Sequence, residues 1–438
     1  MQPPRPGHSL RENRVEGSFV LRYPDTYYSR TLAERLERPA LKGVLAVDCA
    51  VVGGGFAGLF TALGLARGGM RVAVLEAEAV GFGASGRNGG FVSDGFAAGD
   101  ASIRRRVGAA HAAALQDLSA EGVEIMRALV EGGQVPGAAK VNGLLRLRRF
   151  DRGADLAAQA GPDLAYLDRA AIEKRLVSSR YRHGLEERLA FHVHPLNVLR
   201  GLAAEVERSG GVIHEASRVT GCDLSGPVKQ LTTEGGRVEA REVVIATGGY
   251  TQGLVPALRR AMLPIATYVM ASEPAPELLA SAIRTPMGIG DDRRAGDYYR
   301  LVEGGARLLW GGRITTRAAD VPGIVRELRA EMTGAYPQLQ DLKTEVAWSG
   351  LMSYARHRMP MVGRLGPGVW HCYGFGGHGL NTTAIGGTVL AEAMLGQSDR
   401  LALFAPFGLD WAGGPLGLAA AQGTYWALQV QDWWRERG

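Results

Sequence analysis

The sequence is poor in cysteine. Its three, Cys49, Cys222 and Cys372, are widely spaced and odd in number, so neither a disulfide framework nor a cysteine-based zinc site follows, and the usage fits a reducing cytoplasm. No stretch of about 18 apolar residues is free of charge, which argues against a membrane-crossing helix. Residues 1–17 are rich in Pro, Arg and Gly and lack an apolar core segment, so they read as a loose arm rather than a secretory leader. With 46% hydrophobic, 7% aromatic and 21% charged residues, the chain has an ordinary globular composition, and disorder over most of it is excluded. The net charge of +6 raises nucleic acid as a partner. The positive residues are scattered among Glu and Asp, however. The longest basic run, Arg104-Arg105-Arg106, has no interleaved aromatics, so nucleic-acid binding is not expected. No internal repeat or low-complexity tract appears.

Glycine, by contrast, is abundant: 62 of the 438 residues, many clustered at the ends of apolar runs, where a backbone must come close to a ligand. The length allows two lobes. An apolar run over 47–52 ends in Gly53-Gly54-Gly55, residues 56–67 show helical apolar spacing, Gly68-Gly69 stop them, and 72–75 form a second apolar run ending in Glu76. This order predicts a βαβ unit. Gly53-Gly54-Gly55-Phe56-Ala57-Gly58 then stands as G-x-G-x-x-G between strand and helix. Gly53 permits the tight turn, Gly55 lets a pyrophosphate approach the backbone, and Gly58 lets helix and strand pack closely. Glu76, about 20 residues further on, is positioned to accept hydrogen bonds from ribose hydroxyls. The fingerprint alone does not separate FAD from NAD.

Further along, 103–131 predicts a long helix or helical pair leaving the nucleotide domain, 144–148 and 190–193 strands, 195–209 a helix, and 212–214 and 243–246 strands. Strands over 266–271 and 307–310 and a helix over 324–336 belong to a second lobe. After Trp370 a glycine-dense turn leads to a helix over 384–395, so the two domains interleave. The expected division is an N-terminal arm, 1–40; a discontinuous nucleotide domain, 41–99, 187–252 and 346–438; and a substrate domain, 100–186 and 253–345.

The segment after the βαβ unit decides the cofactor. Gly81, Gly83, Ala84, Ser85, Gly86, Arg87, Asn88, Gly89 and Gly90 form G-x-G-A-S-G-R-N-G-G, which resembles the flavin-dependent amine and amino-acid oxidases of the glycine oxidase, sarcosine oxidase and D-amino-acid oxidase type. Within them the match is nearest to γ-glutamylputrescine oxidase-like oxidoreductases. His194-Pro195-Leu196-Asn197, Asp297-Tyr298-Tyr299-Arg300-Leu301, Trp348-Ser349-Gly350 and Gly374-Phe375-Gly376-Gly377-His378-Gly379 are similar to further landmarks of these enzymes. The last departs from them, with Gly376 where they usually have Ser. The resemblance implies an α/β fold, an FAD-binding Rossmann-like βαβ domain interleaved with a substrate domain on a mixed or antiparallel sheet. It places non-covalent FAD against Gly53, Gly55, Phe56, Ala57, Gly58, Glu76 and Ala77, and against Gly83 through Gly90. Val219 would meet the adenine, and Ala246, Thr247 and Gly248 would close over the cofactor. Trp348, Gly350, Gly374, Gly376, Gly377, His378, Gly379 and Leu380 complete that set. Sarcosine oxidase-like relatives can link the flavin to a Cys in the segment matching 348–358, which holds none here.

The activity implied is oxidation of the C–N bond of a small primary or secondary amine by hydride transfer to flavin N5. The imine formed hydrolyses to an aldehyde or keto product, and oxygen or another acceptor reoxidises the flavin. Tyr268, Met270, Tyr299, Trp348 and His378 are the residues expected around the substrate, with His378 beside the flavin rather than acting as a base. A dehydrogenase passing electrons to a quinone or carrier, a non-catalytic FAD subunit and an NAD-dependent dehydrogenase are the alternatives; the loop over 81–90 disfavours the last. No metal is expected: His192 and His194 lack a third ligand nearby. The tail aromatics Tyr425, Trp426, Trp433 and Trp434 are expected to pack on the body rather than on a membrane or partner. Oligomeric state is left open.

Overall fold

The computed structural model describes residues 23–435 except 134, 150–152, 252, 294–295 and 317–320. Among them two sheets carry the fold. The first has eight strands. Gly43–Val52 is its centre, with Val72–Leu75 and then Val212–His214 on one side, and Gly236–Ile245 and then Val369–Tyr373 on the other, all in parallel. Val47, Ala50, Val51 and Val52 are buried, as a strand covered on both faces requires. The helix Phe56–Arg67 follows the central strand, and Leu380–Met394 lies across it. The two pack closely through glycines: a Cβ on Gly387 would lie 2.7 Å from Phe60 Cβ, and one on Gly64 2.5 Å from Ala391 Cβ.

The second sheet has nine strands and is mostly antiparallel. Thr344–Ala355, Met262–Ser272, Arg307–Thr315, Tyr298–Val302 and Gly288–Asp291 run in that order, and Val141–Arg148, His183–His192 and Phe91–Val92 complete the row. The fold is thus mixed α/β. The N-terminal segment that is described is clasped to the body: Tyr28 is fully buried, and Arg38 donates to Glu207 at 2.6 Å. The loose arm read over 1–17 lies outside the described residues.

The sheets divide the chain at points other than the expected boundaries. Strands Phe91–Val92, His183–His192 and Thr344–Ala355, placed wholly or largely in the nucleotide domain, hydrogen-bond into the second sheet. The run over 103–131 is two helices, Asp100–Val107 and Ala109–Glu131, broken at Gly108 with φ +84°. The longer one packs on Leu380–Met394, with Leu115, Val123 and Met126 in the same core as Phe56 and Leu59. Its Gly122 makes this possible, since a Cβ there would stand 2.3 Å from Asn381 O.

The tail differs from expectation as well. Helix Gly414–Arg435 buries Tyr425, but Trp426, Trp433 and Trp434 remain exposed. No helix among the described residues is long and apolar enough to cross a membrane.

Candidate active site

The central strand ends at Gly53, whose φ of +114° suits glycine. A Cβ on Gly53 would lie 2.6 Å from Ala246 O, and one on Gly58 2.0 Å from Gly53 O. Only hydrogen at both positions lets Phe56–Arg67 begin directly against the strand. Its first amides then open toward the adjacent cavity, the arrangement that receives a phosphate. Gly55, the residue preceding the helix, offers no side-chain cap. Phe56 N donates to Ser85 Oγ at 3.2 Å, so the serine of the glycine-dense loop stands over the helix start.

Glu76 has both carboxylate oxygens on backbone amides, Gly54 N at 2.7 Å and Glu78 N at 3.0 Å. Burial raises its pKa, and these two bonds oppose the rise. The carboxylate therefore holds the turn in shape and keeps acceptor capacity for a sugar hydroxyl. Ala77 follows it, and Val219 is half-buried against the first sheet on the same side.

The loop over 81–90 folds back on itself. Asn88 donates to Ala84 O at 3.1 Å and Ser85 O at 2.8 Å, and accepts from Gly90 N at 2.8 Å. A Cβ on Gly86 would meet Gly81 O at 2.2 Å, and one on Gly83 the Tyr250 ring at 3.1 Å. Arg87 donates to Phe82 O at 2.6 Å and Ser349 O at 3.2 Å. No carboxylate among the described residues pairs with Arg87, and burial lowers its pKa. A partly dehydrated guanidinium without an anion is matched by a cofactor phosphate or an electron-rich ring edge.

Two groups from outside hold this loop. Trp348 Nε1 donates to Arg87 O at 2.9 Å, and Arg300 Nε donates to Gly89 O at 2.8 Å. Arg300 also donates to Val193 O at 2.8 Å and meets His192 Nδ1 at 2.9 Å and the Tyr28 hydroxyl at 3.2 Å. Tyr28 in turn meets the Trp348 ring edge-on at 5.5 Å. His192 and His194 are thereby absorbed into structure. His192 Nε2 lies 2.9 Å from Pro286 O, while His194 accepts from Asn197 N at 3.1 Å and caps Pro195–Arg208.

Between the loop, the returning turn and the second sheet lies a cavity of about 450 Å³. Gly55, Phe56, Ala57, Ala84, Ser85, Arg87, Asn88, Gly89 and Gly90 line it from the nucleotide side. Ala246, Gly248, Gly350, Gly376, Gly377, His378, Gly379 and Leu380 do so from the closing segments. Gly53, Gly58, Gly86 and Gly374 serve close packing behind it, and Thr247 bonds the Thr251 hydroxyl. The helix Leu380–Met394 starts at Gly379 without a side-chain cap, so a second helix N-terminus faces the cavity. These donors, the glycine cradle and the unpaired cation suit a flavin dinucleotide.

His378 Nε2 is 3.0 Å from Ser93 O. A carbonyl only accepts, so this nitrogen carries the proton, and burial lowers the pKa, leaving the ring neutral. Of the five residues expected around the substrate, His378 alone lines the cavity. Tyr299 is fully buried on the opposite face of the sheet. It stacks on Trp310 at 4.1 Å and bonds the hydroxyls of Tyr181 at 3.1 Å and Tyr336 at 2.8 Å. Tyr268 and Met270 belong to that same core, and Trp348 holds the loop. The reason is the twofold alternation of strands: Tyr298 and Thr267, one residue earlier in each case, are the ones that line the cavity. Ile289, Met352, Tyr354 and Arg313 line it too and were not singled out from the sequence. Arg300 shares a face with Tyr298, a signal readable in Asp297-Tyr298-Tyr299-Arg300.

The profile of the FAD dependent oxidoreductase family, DAO, matches residues 48–393. The gamma-glutamylputrescine oxidoreductase of Escherichia coli strain K12 is 32% identical over 392 residues, which are 87% of this chain and 92% of that protein. The probable oxidoreductase OrdL of Haemophilus influenzae is 31% identical, covering 86% and 90%. Among solved structures, glycine oxidase from Geobacillus kaustophilus superposes with a TM-score of 0.69 at 21% identity, over 84% of this chain and 99% of its own. L-Amino acid deaminase from Proteus myxofaciens does so with 0.69 at 16% identity, over 86% and 96%; these two show the shared fold.

Proposed function

Because the chain belongs to the family of FAD dependent oxidoreductases, with FAD as its cofactor, we propose that it oxidises the C–N bond of a small primary or secondary amine of the γ-glutamylputrescine kind. The chemistry that FAD supplies when bound is acceptance of a hydride. The chain's own residues then have to deliver the amine in its neutral form, since only a free nitrogen lone pair stabilises the positive charge left on carbon. One observation carries this reading: the cavity wall includes Arg87 and Arg313 and, among the described residues, no carboxylate. An ammonium entering there is repelled and loses its hydration, so its pKa falls. A free alkylamine has a pKa near that of a lysine side chain, about 10.4, so the neutral form must be favoured by the site.

Arg313 is paired with Glu331 at 2.9 Å, and Glu331 is shared with Arg293 at 2.7 Å and Arg180 at 3.2 Å. Arg313 also meets Glu327 at 3.3 Å, and the neighbouring Arg149 pairs with Asp291 and Asp297, so charge at this end is matched. Arg313 is the member of that network that reaches the cavity wall, where a carboxylate carried away from the reacting nitrogen would meet it. Tyr298, Ile289 and Met352 give the remaining wall an apolar body that keeps water from the reacting carbon. Neutral His378, its proton engaged with Ser93 O, orients rather than accepts. The imine released is hydrolysed by water to an aldehyde or keto product. Oxygen is the acceptor in this reading, and a quinone or carrier is the alternative.

The test is anaerobic mixing of the purified protein with a panel of amines, with and without a distal carboxylate, followed at the flavin band. Bleaching by the carboxylate-bearing amines is expected, with a rate that rises with pH through the amine's own ionisation. That pH dependence should survive in His378→Ala with a lower rate. Loss of it in the variant would make His378 the base, and a flavin that no amine bleaches would refute the reading.

A further inference from the structure

The helix Gly414–Arg435 touches the body along one side only. Gln422 accepts from Thr316 N at 2.9 Å and the Thr315 hydroxyl at 3.2 Å, and Tyr425 and Asp432 are buried beneath. The outer side presents Leu416, Trp426, Val430 and Trp434, exposed by 76%, 49%, 56% and 66%. Ala419, Ala420, Gly423 and Ala427 fill the positions between them, so the stripe runs the length of one helix face. From Gly414 to Gln431 the helix has no charged residue. Trp411, 63% exposed, stands before its start and beside Arg260, whose carbonyl accepts Ala412 N at 2.9 Å. Arg435 ends the described helix. The nearby acid Asp410 is paired with Arg106 at 3.4 Å.

We propose that this face docks on an anionic phospholipid membrane, with the helix lying along the surface. An apolar stripe of this extent on an otherwise ordinary surface marks a binding face. Tryptophans at both ends of an uncharged middle match the headgroup level on which indoles settle. Arg260 and Arg435 bracket the stripe, and the chain carries a net +6, which complements lipid phosphate. A seam with a second copy of this helix would carry charged residues along its flanks to set pairing, and here the flanks have none. Docking would also turn one side of the catalytic chamber toward lipid. The cleft between helix and body is lined by Arg313, Tyr425, Leu428 and Trp433, and Arg313 belongs to the cavity wall as well.

The experiment uses the flavin-loaded full chain and two vesicle compositions, phosphatidylcholine alone and phosphatidylcholine with phosphatidylglycerol. Co-sedimentation with the anionic vesicles is expected, and brominated phosphatidylcholine mixed into them should quench the tryptophan fluorescence of the unmodified protein. The triple variant Leu416→Gln, Val430→Gln, Trp434→Gln should keep its flavin and bind at least roughly tenfold more weakly. Failure to bind or be quenched by either composition overturns the proposal, as does equal binding by the variant. A dimer by light scattering that the variant splits, without vesicle binding, overturns it in favour of a second copy. Quenching in the unmodified protein decides the matter even if the variant folds poorly.

Discussion

Acid should destabilise the protein through buried histidines, and His194 isolates the effect. Its Nδ1 caps Pro195–Arg208 through Asn197 N, its Nε2 lies 3.0 Å from the Thr31 hydroxyl, and its ring meets Tyr28 edge-on at 4.9 Å. Burial, helped by the Arg300 cation, holds its pKa down to about 3, against about 6.5 in an unfolded chain. A folded value below the unfolded one means that the stability is present above pH 6.5 and is lost as pH falls through 6.5 toward 3. Carried through that whole window, the loss approaches 5 kcal/mol, at about 1.4 kcal/mol per pH unit. This is comparable with the entire stability of many domains. His192, also held to about 3, adds in the same direction, whereas Asp297, pushed up to about 7 by burial and Asp291, opposes. Comparison with His194→Asn cancels both, because asparagine is a favoured cap and does not titrate. Unfolding by urea, followed by tryptophan fluorescence at several pH values, should give the variant a stability lower at neutral pH but a shallower slope, by about 1.4 kcal/mol per pH unit between roughly pH 6 and 4. Parallel pH profiles for the two proteins would refute the assignment of a buried, neutral His194.

Three other outcomes are expected. Gly55→Val should abolish bound flavin, since its Cβ would start 2.9 Å from Ser85 Oγ and its methyls would fill the space before the helix amides; full flavin content by absorbance would show that Gly55 does not face the pyrophosphate. Acid precipitation should release the flavin into the supernatant, because residues 348–358 hold no Cys and burial pushes the Cys372 thiol up to about 12, far from a thiolate; a yellow pellet would contradict this. Tyr298→Phe should lower kcat/KM, with some loss of stability because its buried hydroxyl bonds Thr267, whereas Tyr299→Phe should cost about 1–3 kcal/mol of stability by orphaning its buried hydroxyl partners with kcat/KM intact; a kcat/KM that falls in Tyr299→Phe and holds in Tyr298→Phe would mean that the two tyrosines have been assigned to the wrong faces.

The parts of the site legible in the sequence are those where the backbone itself makes the contact. Gly53, Gly58 and Gly86 have no room for a Cβ because a carbonyl oxygen already stands there, and such a requirement leaves a local pattern of glycines at fixed spacing. The side-chain wall left no such mark. Tyr268 and Tyr299 are aromatic residues on the strands that bound the cavity, but a strand turns successive side chains to opposite faces, and it is the residues before them, Thr267 and Tyr298, that line it. The alternation was readable: Leu301 repeats the core face of Tyr299, and Arg300 repeats that of Tyr298. The Tyr28 clamp was not readable at all, since its partners Arg300 and Trp348 are remote in sequence and no local pattern connects them.

Gly376 shows how a departure from a family pattern becomes interpretable once the backbone is known. Its φ is +62°, a conformation that side chains rarely adopt, and a Cβ there would lie 2.8 Å from Ala97 Cβ and 3.1 Å from Tyr354 Cε1. A serine, usual at this position in the amine oxidases the chain resembles, would therefore be strained and crowded here. The missing hydroxyl is not replaced by a neighbour moved into its place. The turn lies close to the second sheet, with the Tyr354 hydroxyl 2.6 Å from where a Cβ on Gly377 would be. Tyr354 and Ser353 are then polar residues of the cavity wall beside this turn, where glycine offers no hydroxyl of its own.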